Sequence, residues 1–523
     1  MNRFGAIKWL SAAVAVGLVA GACSSSKNGA SPTPTSGGTP TTATAQSGGS
    51  ATMLIHYNIV SFDPAKVSLS GGTQPYAQTA LFDDLVYLDD QGHIVAGFAQ
   101  SLTSTDQVHW VLKLRPNLVF SDGTTFDAAA VKFNWTREQD PTIGTFTPDA
   151  TSISDMTVVD PTTLNVTLKS ANAQFPRLVM DELGLIGSPT AIQAEGDQFG
   201  AKPVGAGPFV LTQSAPGDHW TFAKNPHYYL APKPYLDSMT LKFATDNTQQ
   251  FNAFTTGQGD MVYAPTADPH IAQLKQQGYP IVAPEQLGGI GLIFNTTMAP
   301  FDDASVRLGL SEALDLNQIN QEAVNGAGIV PTTWFPSSSP FYDASLTLPN
   351  GDMNKAQQLI SAYVAQHGPI NFTWQYPTVL GSYATAVQQA WNALKGVHVT
   401  LAPLTPSAAV TLLQTKKFTV AAGGPEAVDP AQALAASFSS TSRTNYGSYS
   451  NPQMDQALAA GSAATTLAGR KAAYETVQKI LVQDVPLILL YRGAFNYIGQ
   501  KNVKGMKVYS ASLLDWADVW LAK

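Results

Sequence analysis

The stretch FNTTMAPFDDASVRLGLSEALD, Phe294–Asp315, contains apolar residues at the spacing of an amphipathic helix. Val306, Leu310 and Leu314 are spaced so that they lie on one face of a helix. Asp303 stands just before that face and is a favoured residue for capping a helix N-terminus. The stretch therefore predicts an amphipathic helix that begins after Asp303 and packs one face against a core.

Strand patterns lie on both sides of this helix. Ala51–Val60 is apolar and rich in β-forming residues, and Asp63-Pro64 follows it. Alternating apolar and polar residues predict further strands, at His109–Arg115, Leu164–Leu168 and Met239–Phe243. Nearer the C-terminus, a helical period over Leu467–Gln483 precedes an apolar run at Leu487–Tyr491. Interleaved helices and strands of this kind predict an α/β fold with mixed sheets.

Length and composition narrow the class of protein. The chain has 523 residues, which exceeds the roughly 250–300 at which one hydrophobic core stops growing, so more than one lobe is expected. It is 44% hydrophobic and 13% charged, as in a globular protein. The net charge of −8 argues against non-specific binding to nucleic acid or to anionic lipid.

The N-terminus has the pattern of a secretory signal. Arg3 and Lys8 precede the apolar run Trp9–Ala22, which is shorter than the ~20 residues that a membrane span needs. Residues 20–23, Ala-Gly-Ala-Cys, resemble the bacterial lipobox, in which the cysteine is lipidated and becomes the first residue of the mature protein. We therefore expect a signal peptide over 1–22 and a lipid on Cys23. Cys23 is the only cysteine, which excludes an internal disulfide and a cysteine-based zinc site.

The segment after Cys23 predicts a tether. Residues 24–50 carry one charge and are rich in Ser, Thr, Pro and Gly. Such a segment buries too little apolar surface to offset the entropy of ordering it. As a flexible coil it would span on the order of 25–30 Å. We expect residues 23–50 to hold a folded body away from a membrane.

Catalytic and cofactor motifs are missing from the sequence. It has no G-x-S-x-G, H-E-x-x-H, G-x-x-x-x-G-K-[ST] or G-x-G-x-x-G pattern. Its eight histidines are scattered without the spacing of metal ligands. We predict no catalytic residue, no metal site and no cofactor.

Several stretches, in order along the body, resemble the extracytoplasmic solute-binding proteins of ABC importers. The resemblance is to the oligopeptide, dipeptide and nickel-binding class. The stretches that carry it are LRPNLVFSDGTTFDAAAVKFNW (114–135), VGAGPFVL (204–211), KNPHYYLAPKPYLD (224–237), GQGDM (257–261), Phe294–Asp315, NYGSYSNPQMD (445–455) and GRKAAYETVQKILVQDVPLILLY (469–491), followed by VKGM (503–506).

The resemblance implies a two-lobed periplasmic-binding-protein fold that closes on its ligand by a hinge motion. Residues 51–285 and 492–523 would form lobe I, with an inserted subdomain near 82–203, and residues 286–491 would form lobe II. Gly288, Gly289 and Gly291 would then lie at the crossover between lobes, as a hinge. The implied partners are a peptide or small-molecule ligand and the transmembrane subunits of a permease. A monomer on the outer face of the cell membrane is expected, with no nucleic acid.

In the peptide-binding members, an acidic residue four positions before a proline holds the α-ammonium of the ligand. The matching stretch here is FTVAAGGPEAVDP (418–430), which makes Glu426 the candidate and adds Asp429 one turn later. Gly423 and Gly424 stand where many peptide binders have a tryptophan. The segment 377–383 has no base for a ligand carboxylate, which implies a ligand longer than a dipeptide, or one that is not a simple dipeptide.

Aromatic and basic residues near the implied cleft complete the candidate site. An aromatic side chain in a loop can stack on a peptide side chain or on a sugar ring. The candidates are Tyr76, Trp334, Trp374, Tyr376, Arg443 and Tyr446.

Three functions are compatible with these patterns. The first is a lipid-anchored receptor that delivers oligopeptides to an ABC importer, with a sugar or a metal chelate as the alternative ligand. The second is a non-transport relative that regulates or scaffolds assembly of the cell envelope. The third is an extracellular hydrolase, for which the sequence has no motif.

Overall fold

The structure is a computed structural model, and it describes residues 44–67, 74–88, 93–143, 148–244, 246–265, 268–283, 286–493, 495–509 and 513–523. The predicted signal peptide, Cys23 and the greater part of the predicted tether lie outside these residues.

Strands occur along the whole of the described chain. In chain order they are β1 (Ser50–Ile55), β2 (Val86–Leu88), β3 (Ile94–Ala96), β4 (Ala99–Ser104), β5 (His109–Leu114), β6 (Ile153–Asp160), β7 (Thr163–Leu168), β8 (Phe209–Ala215), β9 (His219–Lys224), β10 (Ser238–Phe243), β11 (Met261–Pro265), β12 (Ile281–Val282), β13 (Leu287–Gly288), β14 (Ile290–Phe294), β15 (Ile370–Pro377), β16 (Val397–Leu404), β17 (Val420–Gly423), β18 (Glu426–Ala427), β19 (Leu487–Tyr491), β20 (Phe495–Gly499), β21 (Val503–Lys504), β22 (Val508–Tyr509), β23 (Leu513–Leu514) and β24 (Trp520–Leu521).

Helices are interleaved with these strands. They are α1 (Pro75–Leu81), α2 (Ala128–Glu138), α3 (Phe175–Leu178), α4 (Pro189–Glu195), α5 (Asn247–Thr255), α6 (Pro269–Gln276), α7 (Ala304–Glu312), α8 (Leu316–Val324), α9 (Met353–His367), α10 (Gly381–Asn392), α11 (Pro406–Thr415), α12 (Pro430–Phe438), α13 (Pro452–Ala463) and α14 (Leu467–Asp484). The predicted α/β class with mixed sheets is confirmed.

One part of the molecule, here called the first lobe, is built on two sheets. The larger sheet has the strand order β12-β20-β11-β1-β10-β9-β8, and the smaller has the order β4-β5-β7-β6. Strand β1 lies parallel to both of its neighbours, β10 and β11. Met53, Leu241 and Tyr263 belong to the core of the larger sheet, whereas Leu112 and Trp135 belong to a separate core beside the smaller one.

The other part, here called the second lobe, contains helices α7–α14. Its three-stranded sheet has the order β17-β14-β19, and β15 and β16 form a parallel pair beside it. One core joins α7, α9 and α10 to these strands through residues such as Leu310, Ile360 and Trp391. A second core joins α12 and α13 to α14, and it includes Leu434 and Leu458.

The two helices predicted from their period are confirmed. Oδ1 of Asp303 accepts a hydrogen bond from the backbone N–H of Ser305 at 2.7 Å, and α7 begins at the residue after Asp303. Val306 and Leu310 are fully buried on its inner face. Helix α14 begins at the predicted residue, Leu467, and ends one residue beyond the predicted end.

The three alternating strands are also confirmed, as β5, β7 and β10. Strand β1 is shorter than predicted, because it ends at Ile55 and not at Val60. Ile55 pairs with Phe243, the last residue of β10, so the ladder has no further partner residue in that strand. Val60 consequently lies outside the sheet with its side chain exposed.

The end of the predicted tether also differs from the prediction. The backbone N–H of Gly48 donates to the carbonyl of Tyr235 at 2.8 Å, and that of Gly49 donates to Oδ2 of Asp237 at 3.1 Å. Ser50 is already part of β1. Gly48 and Gly49 are thus held by the segment just before β10, and Ser50 pairs with Ser238, so ordered contacts of the folded body begin before position 51.

The chain passes between the lobes at β13–β14 and again between β19 and β20. Gly288 and Gly289 have φ values of 65° and 141°, which side chains disfavour. A Cβ on Gly288 would lie 2.1 Å from the carbonyl oxygen of Pro425, and one on Gly289 would lie 2.1 Å from that of Tyr491. A Cβ on Gly291 would similarly lie 2.2 Å from the carbonyl oxygen of Ile488. Close backbone packing explains these glycines, and their role as a hinge stays a prediction.

A substitution at Gly289 tests how much this packing matters. We expect Gly289→Ala to lower the free energy of unfolding by more than the roughly 1–2 kcal/mol that left-handed backbone costs a residue with a Cβ, because the new Cβ also meets a carbonyl. Gly351→Ala is the matched control, since Gly351 has a φ of 81° but a Cβ there would meet no atom within 4 Å. Urea unfolding of both variants measures the difference, and equal losses would contradict the packing argument.

Candidate functional site

Glu426 lies where the second lobe meets the crossover. It is the first residue of β18, which pairs antiparallel with β13 and places Glu426 opposite Gly288. Its half-buried carboxylate packs against Gly493 so closely that a Cβ there would lie 2.0 Å from Oε1 of Glu426. Within the described part of the chain, no hydrogen bond or ion pair reaches this carboxylate. Burial raises the pKa of Glu426 from 4.5 to about 7.

The first lobe contributes His56 and Tyr57, which follow β1 directly. Burial raises the pKa of the Tyr57 hydroxyl, and the negative charge of Glu426 raises it further. The His56 and Tyr57 rings lie 3.9 Å apart, and Nδ1 of His56 is 3.3 Å from the carbonyl oxygen of Tyr263. Burial lowers the pKa of His56, which favours its neutral form. The charge of Glu426 therefore acts on Tyr57 of the opposite lobe, whose ring packs beside that of His56.

Tyr491 forms a further part of this site. It ends β19, and its ring stacks on Tyr383 with centroids 4.8 Å apart. Burial raises the pKa of Tyr491, and electrostatic interactions with Tyr383, Glu426 and Tyr57 add smaller effects in the same direction. The Tyr383 hydroxyl is buried and makes no hydrogen bond among the described residues.

The chemistry of this site suits a cation. A carboxylate without a partner can accept charge-assisted hydrogen bonds from an ammonium group. We call Glu426, His56, Tyr57, Tyr491 and Gly493 the Glu426 site. Among the described residues, no group of three or more His, Cys, Asp or Glu side chains is arranged to hold a metal ion.

The packing around Gly424 explains why this chain has glycines where many peptide-binding members have a tryptophan. A Cβ on Gly424 would lie 2.2 Å from the carbonyl oxygen of Gly289, so the segment before Glu426 rests directly on the crossover backbone. Gly423 has a φ of 155°, which disfavours a side chain, and a Cβ there would lie 3.1 Å from the Ile293 side chain. The two glycines that replace a tryptophan thus fit the packing of the crossover.

Asp429 has a different role from the one predicted. Its Oδ1 caps α12 by accepting from the backbone N–H of Ala431 at 3.0 Å, and also accepts from Nη2 of Arg470 at 2.6 Å. Its Oδ2 lies 3.3 Å from Nε of Arg177. Both oxygens are therefore engaged within the protein, so we correct the predicted ligand contact of Asp429 to a structural one.

Three of the predicted aromatic contacts are core residues. Tyr76 lies in α1, not in a loop, and its ring packs edge-on against Tyr263. Trp334 and Trp374 belong to the two cores of the second lobe and are 2% and 0% exposed. Their burial in cores corrects the prediction that they stack on ligand, because the neighbouring apolar side chains already cover them.

The other three candidates keep some exposure. Tyr376 follows Trp374 on β15, with ring centroids 5.8 Å apart. Arg443 is exposed, and Tyr446 is half-buried, so that burial raises its pKa. Their contact with ligand stays a prediction. His56, Tyr57 and Tyr491 were missed from the sequence, although His56 and Tyr57 stand at the carboxyl end of a strand in the sheet, where ligands bind in open α/β folds.

A cavity of about 660 Å³ also lies between the lobes. Its lining includes Lys275 from α6, Thr333 and Tyr342 from the second lobe, and Arg492 and Gly493 from the crossover. Gly493 is thus shared with the Glu426 site, whereas Glu426 is not part of this lining.

No helix among the described residues is both long and apolar enough to cross a membrane.

A family model, bacterial extracellular solute-binding proteins, family 5 Middle, matches residues 93–445. The periplasmic murein peptide-binding protein MppA of Escherichia coli (strain K12) is 27% identical over 472 residues, which cover 83% of this chain and 85% of MppA. The glutathione-binding protein GsiB of the same strain is 28% identical over 283 residues. That match covers 54% of this chain and only 55% of GsiB.

Among solved structures, the periplasmic binding protein DppA from Helicobacter pylori, in complex with the peptide STSA, superposes with a TM-score of 0.77. The two chains are 21% identical, and the match covers 91% of this chain and 99% of DppA. This likeness confirms the predicted two-lobed periplasmic-binding-protein fold. The residue boundaries of the lobes and of the inserted subdomain stay predictions.

The pKa of Glu426 gives a testable dependence of stability on pH. The unfolded chain ionises this carboxyl from pH 4.5 upward, whereas the ligand-free folded protein ionises it only from about pH 7. The free energy of unfolding therefore falls as the pH rises between these two values. We expect Glu426→Gln to raise the free energy of unfolding by up to about 3 kcal/mol at pH 8 and to leave it unchanged at pH 4. Urea unfolding at both values tests this. The exposed Glu322→Gln is the control, and the same effect in both variants would exclude burial as its cause.

Proposed function

Because the chain belongs to family 5 of the bacterial extracellular solute-binding proteins, we propose that it is a receptor that captures oligopeptides and delivers them to an ABC importer. The family is a class of solute-binding proteins and is extracytoplasmic, which fits the secretory pattern of residues 1–22. The observation that carries the proposed ligand is the half-buried Glu426 carboxylate, which has no partner among the described residues and is near enough to Tyr57 of the first lobe to raise the pKa of its hydroxyl.

In this proposal Glu426 holds the α-ammonium of the peptide. A buried carboxylate costs free energy unless a cation compensates it, so a ligand that brings an ammonium group recovers that cost on binding. An anionic chelate would instead be repelled at this position, and a neutral sugar would leave the charge uncompensated. MppA is named for binding murein peptide and GsiB for binding glutathione, in agreement with this choice.

We also propose that the ligand is longer than a dipeptide. The segment Pro377–Tyr383 carries no base for a ligand carboxylate close to the ammonium site. In a longer peptide the carboxylate would lie further from Glu426, and the exposed Arg443 is the cation proposed to bind it. Backbone and aromatic groups between the two ends would then bind many side-chain sequences.

The remaining part of the proposal concerns location. A lipid on Cys23 would anchor the receptor to the outer face of the cell membrane, and the residues after it would let the monomeric binding body reach both ligand and permease. The importer would take the peptide from the receptor.

Peptide binding and its dependence on pH test the ligand class. Mixed peptides of two to eight residues should raise thermal stability, and a peptide at 100 times its Kd should add about 2.7 kcal/mol. We expect the affinity to fall about 30-fold between pH 8 and pH 5.5, because protonation of a group with a pKa near 7 removes the carboxylate. N-acetylated peptides and the Glu426→Gln variant should bind weakly at both pH values.

The outcomes distinguish the alternatives. Stabilisation by oligosaccharides or by metal chelates, with none from peptides, would overturn the proposed ligand. Recovery of envelope biosynthetic enzymes with the protein, but no permease, would favour the regulatory relative. Turnover of a substrate would favour the hydrolase.

The lipid anchor has its own test. We expect the Cys23→Ala variant to be released into the medium, because no acyl chain would then hold the protein at the membrane. Fractionation of cells that express the wild type and the variant measures this, with Ser25→Ala as the control. A Cys23→Ala protein that stays with the membrane after removal of residues 1–22 would contradict the anchor.

A further inference from the structure

A direct contact between the lobes lies close to the Glu426 site. On the first lobe it is made by Ala173, Gln174 and Arg177, at the beginning of α3. On the second lobe it is made by Asp429, at the start of α12, and by Ser462 and Ala464, at the end of α13. We call these residues the interlobe contact.

Backbone carbonyls at the end of α13 accept two of its hydrogen bonds. The last carbonyls of a helix have no partner within the helix and need one outside it. The backbone N–H of Ala173 donates to the carbonyl of Ser462 at 3.1 Å, and Nε2 of Gln174 donates to the carbonyl of Ala464 at 3.1 Å. The first lobe thus caps a helix of the second lobe.

Arginine side chains from both lobes meet at Asp429. Nη2 of Arg470 lies 2.6 Å from Oδ1 of Asp429, and Arg470 is held in place by Phe341, over whose ring its guanidinium lies at 4.9 Å. Nε of Arg177 lies 3.3 Å from Oδ2 of Asp429 and 3.2 Å from Oε1 of Gln174. The side chains of Asp429, Arg470 and Arg177 are 8%, 7% and 20% exposed, so solvent screens these charges little.

The two ion pairs respond differently to separation of the lobes. Asp429 and Arg470 both belong to the second lobe, so their pair persists when the lobes move apart. Arg177 belongs to the first lobe, so its pair with Asp429 exists only while the lobes are in contact. The approach of Arg177 therefore adds a second cation to Asp429 in the contacting arrangement alone.

Asp429 is also connected to the proposed ligand acid. It follows Glu426 by three residues, and the segment between them is held at one end by the pairing of β18 with β13 and at the other by the cap on α12. From this connection we infer that Arg177 is a positioning residue for ligand binding, which stabilises the contacting arrangement of the lobes and fixes the segment that carries Glu426. This inference rests on the proposed function.

A substitution of Arg177 tests the inference through binding kinetics. We expect Arg177→Gln to weaken peptide binding about tenfold, the effect of losing one hydrogen bond to a charged group. The loss should appear in the dissociation rate and leave the association rate unchanged, because the contact forms only after the lobes meet. Arg177→Lys should restore part of the affinity. Stopped-flow kinetics with a peptide that binds the wild type measure both rates, and Lys66→Gln, which removes an exposed pair with Asp197 in the first lobe, is the control.

Gln174 supplies a second test through coupling. Because Oε1 of Gln174 lies beside Nε of Arg177, we expect Gln174→Ala and Arg177→Gln to weaken binding less than additively when combined. Urea unfolding of the ligand-free variants checks folding, and a similar unfolding midpoint in all of them keeps the comparison valid.

The outcomes separate this inference from the proposed function. If Glu426→Gln abolishes peptide binding but Arg177→Gln leaves the affinity and dissociation rate unchanged, only the inference is overturned. If Glu426→Gln also leaves peptide binding unchanged, the role of Glu426 as the ammonium-binding acid is wrong, whereas a wild-type protein that binds no peptide would overturn the proposed function. A loss of affinity confined to the association rate would likewise overturn the role of Arg177.

Discussion

The approach of backbone to backbone at the lobe crossover is the constraint on which the site depends. Gly289 lies against the carbonyl of Tyr491, and Gly424 lies against the carbonyl of Gly289, with no space for a Cβ at either glycine. Three chain segments therefore share one thin layer: the strand entering the second lobe, the strand leaving it, and the strand that carries Glu426. The predicted hinge motion would have to bend this layer, and the layer also holds the segment that leads to Glu426.

The same layer explains why Glu426 is electrostatically unusual. Close packing against Gly493 removes water from its carboxylate, and no cation of the described residues replaces that water. Natural proteins seldom bury a charge without compensation, so a cost of this kind is typical of a functional site. Asp429, three residues later, shows the contrasting case, because two arginines and a helix N-terminus compensate it fully.

The periodic parts of the fold could be predicted from sequence, and the burial of single side chains could not. Alternation in β5 and the Asp303 cap of α7 are local signals, and both are present as predicted. Trp334 and Trp374 are indistinguishable from ligand-stacking residues in sequence, because only the packing of helices over their strands covers them. The structural role of Asp429 could not be predicted either, because its arginine partners lie 41 and 252 residues away in the sequence. The position of His56 and Tyr57 in the Glu426 site depends on the order of the strands in the larger sheet, which no local sequence pattern encodes.

The way in which the folded body begins has a mechanical consequence. The first ordered backbone contacts, at Gly48 and Gly49, lead directly into β1, which lies inside the larger sheet and pairs in parallel with β10 along its whole length. A pull on the chain before Gly48 acts along this strand, so it loads the hydrogen bonds of the ladder together and not one after another. The crossover layer lies at the opposite end of the same sheet's strands, where β20 begins beside the carboxyl end of β11. Under the proposed anchoring at Cys23, such a pull would therefore act on the larger sheet and not on the crossover.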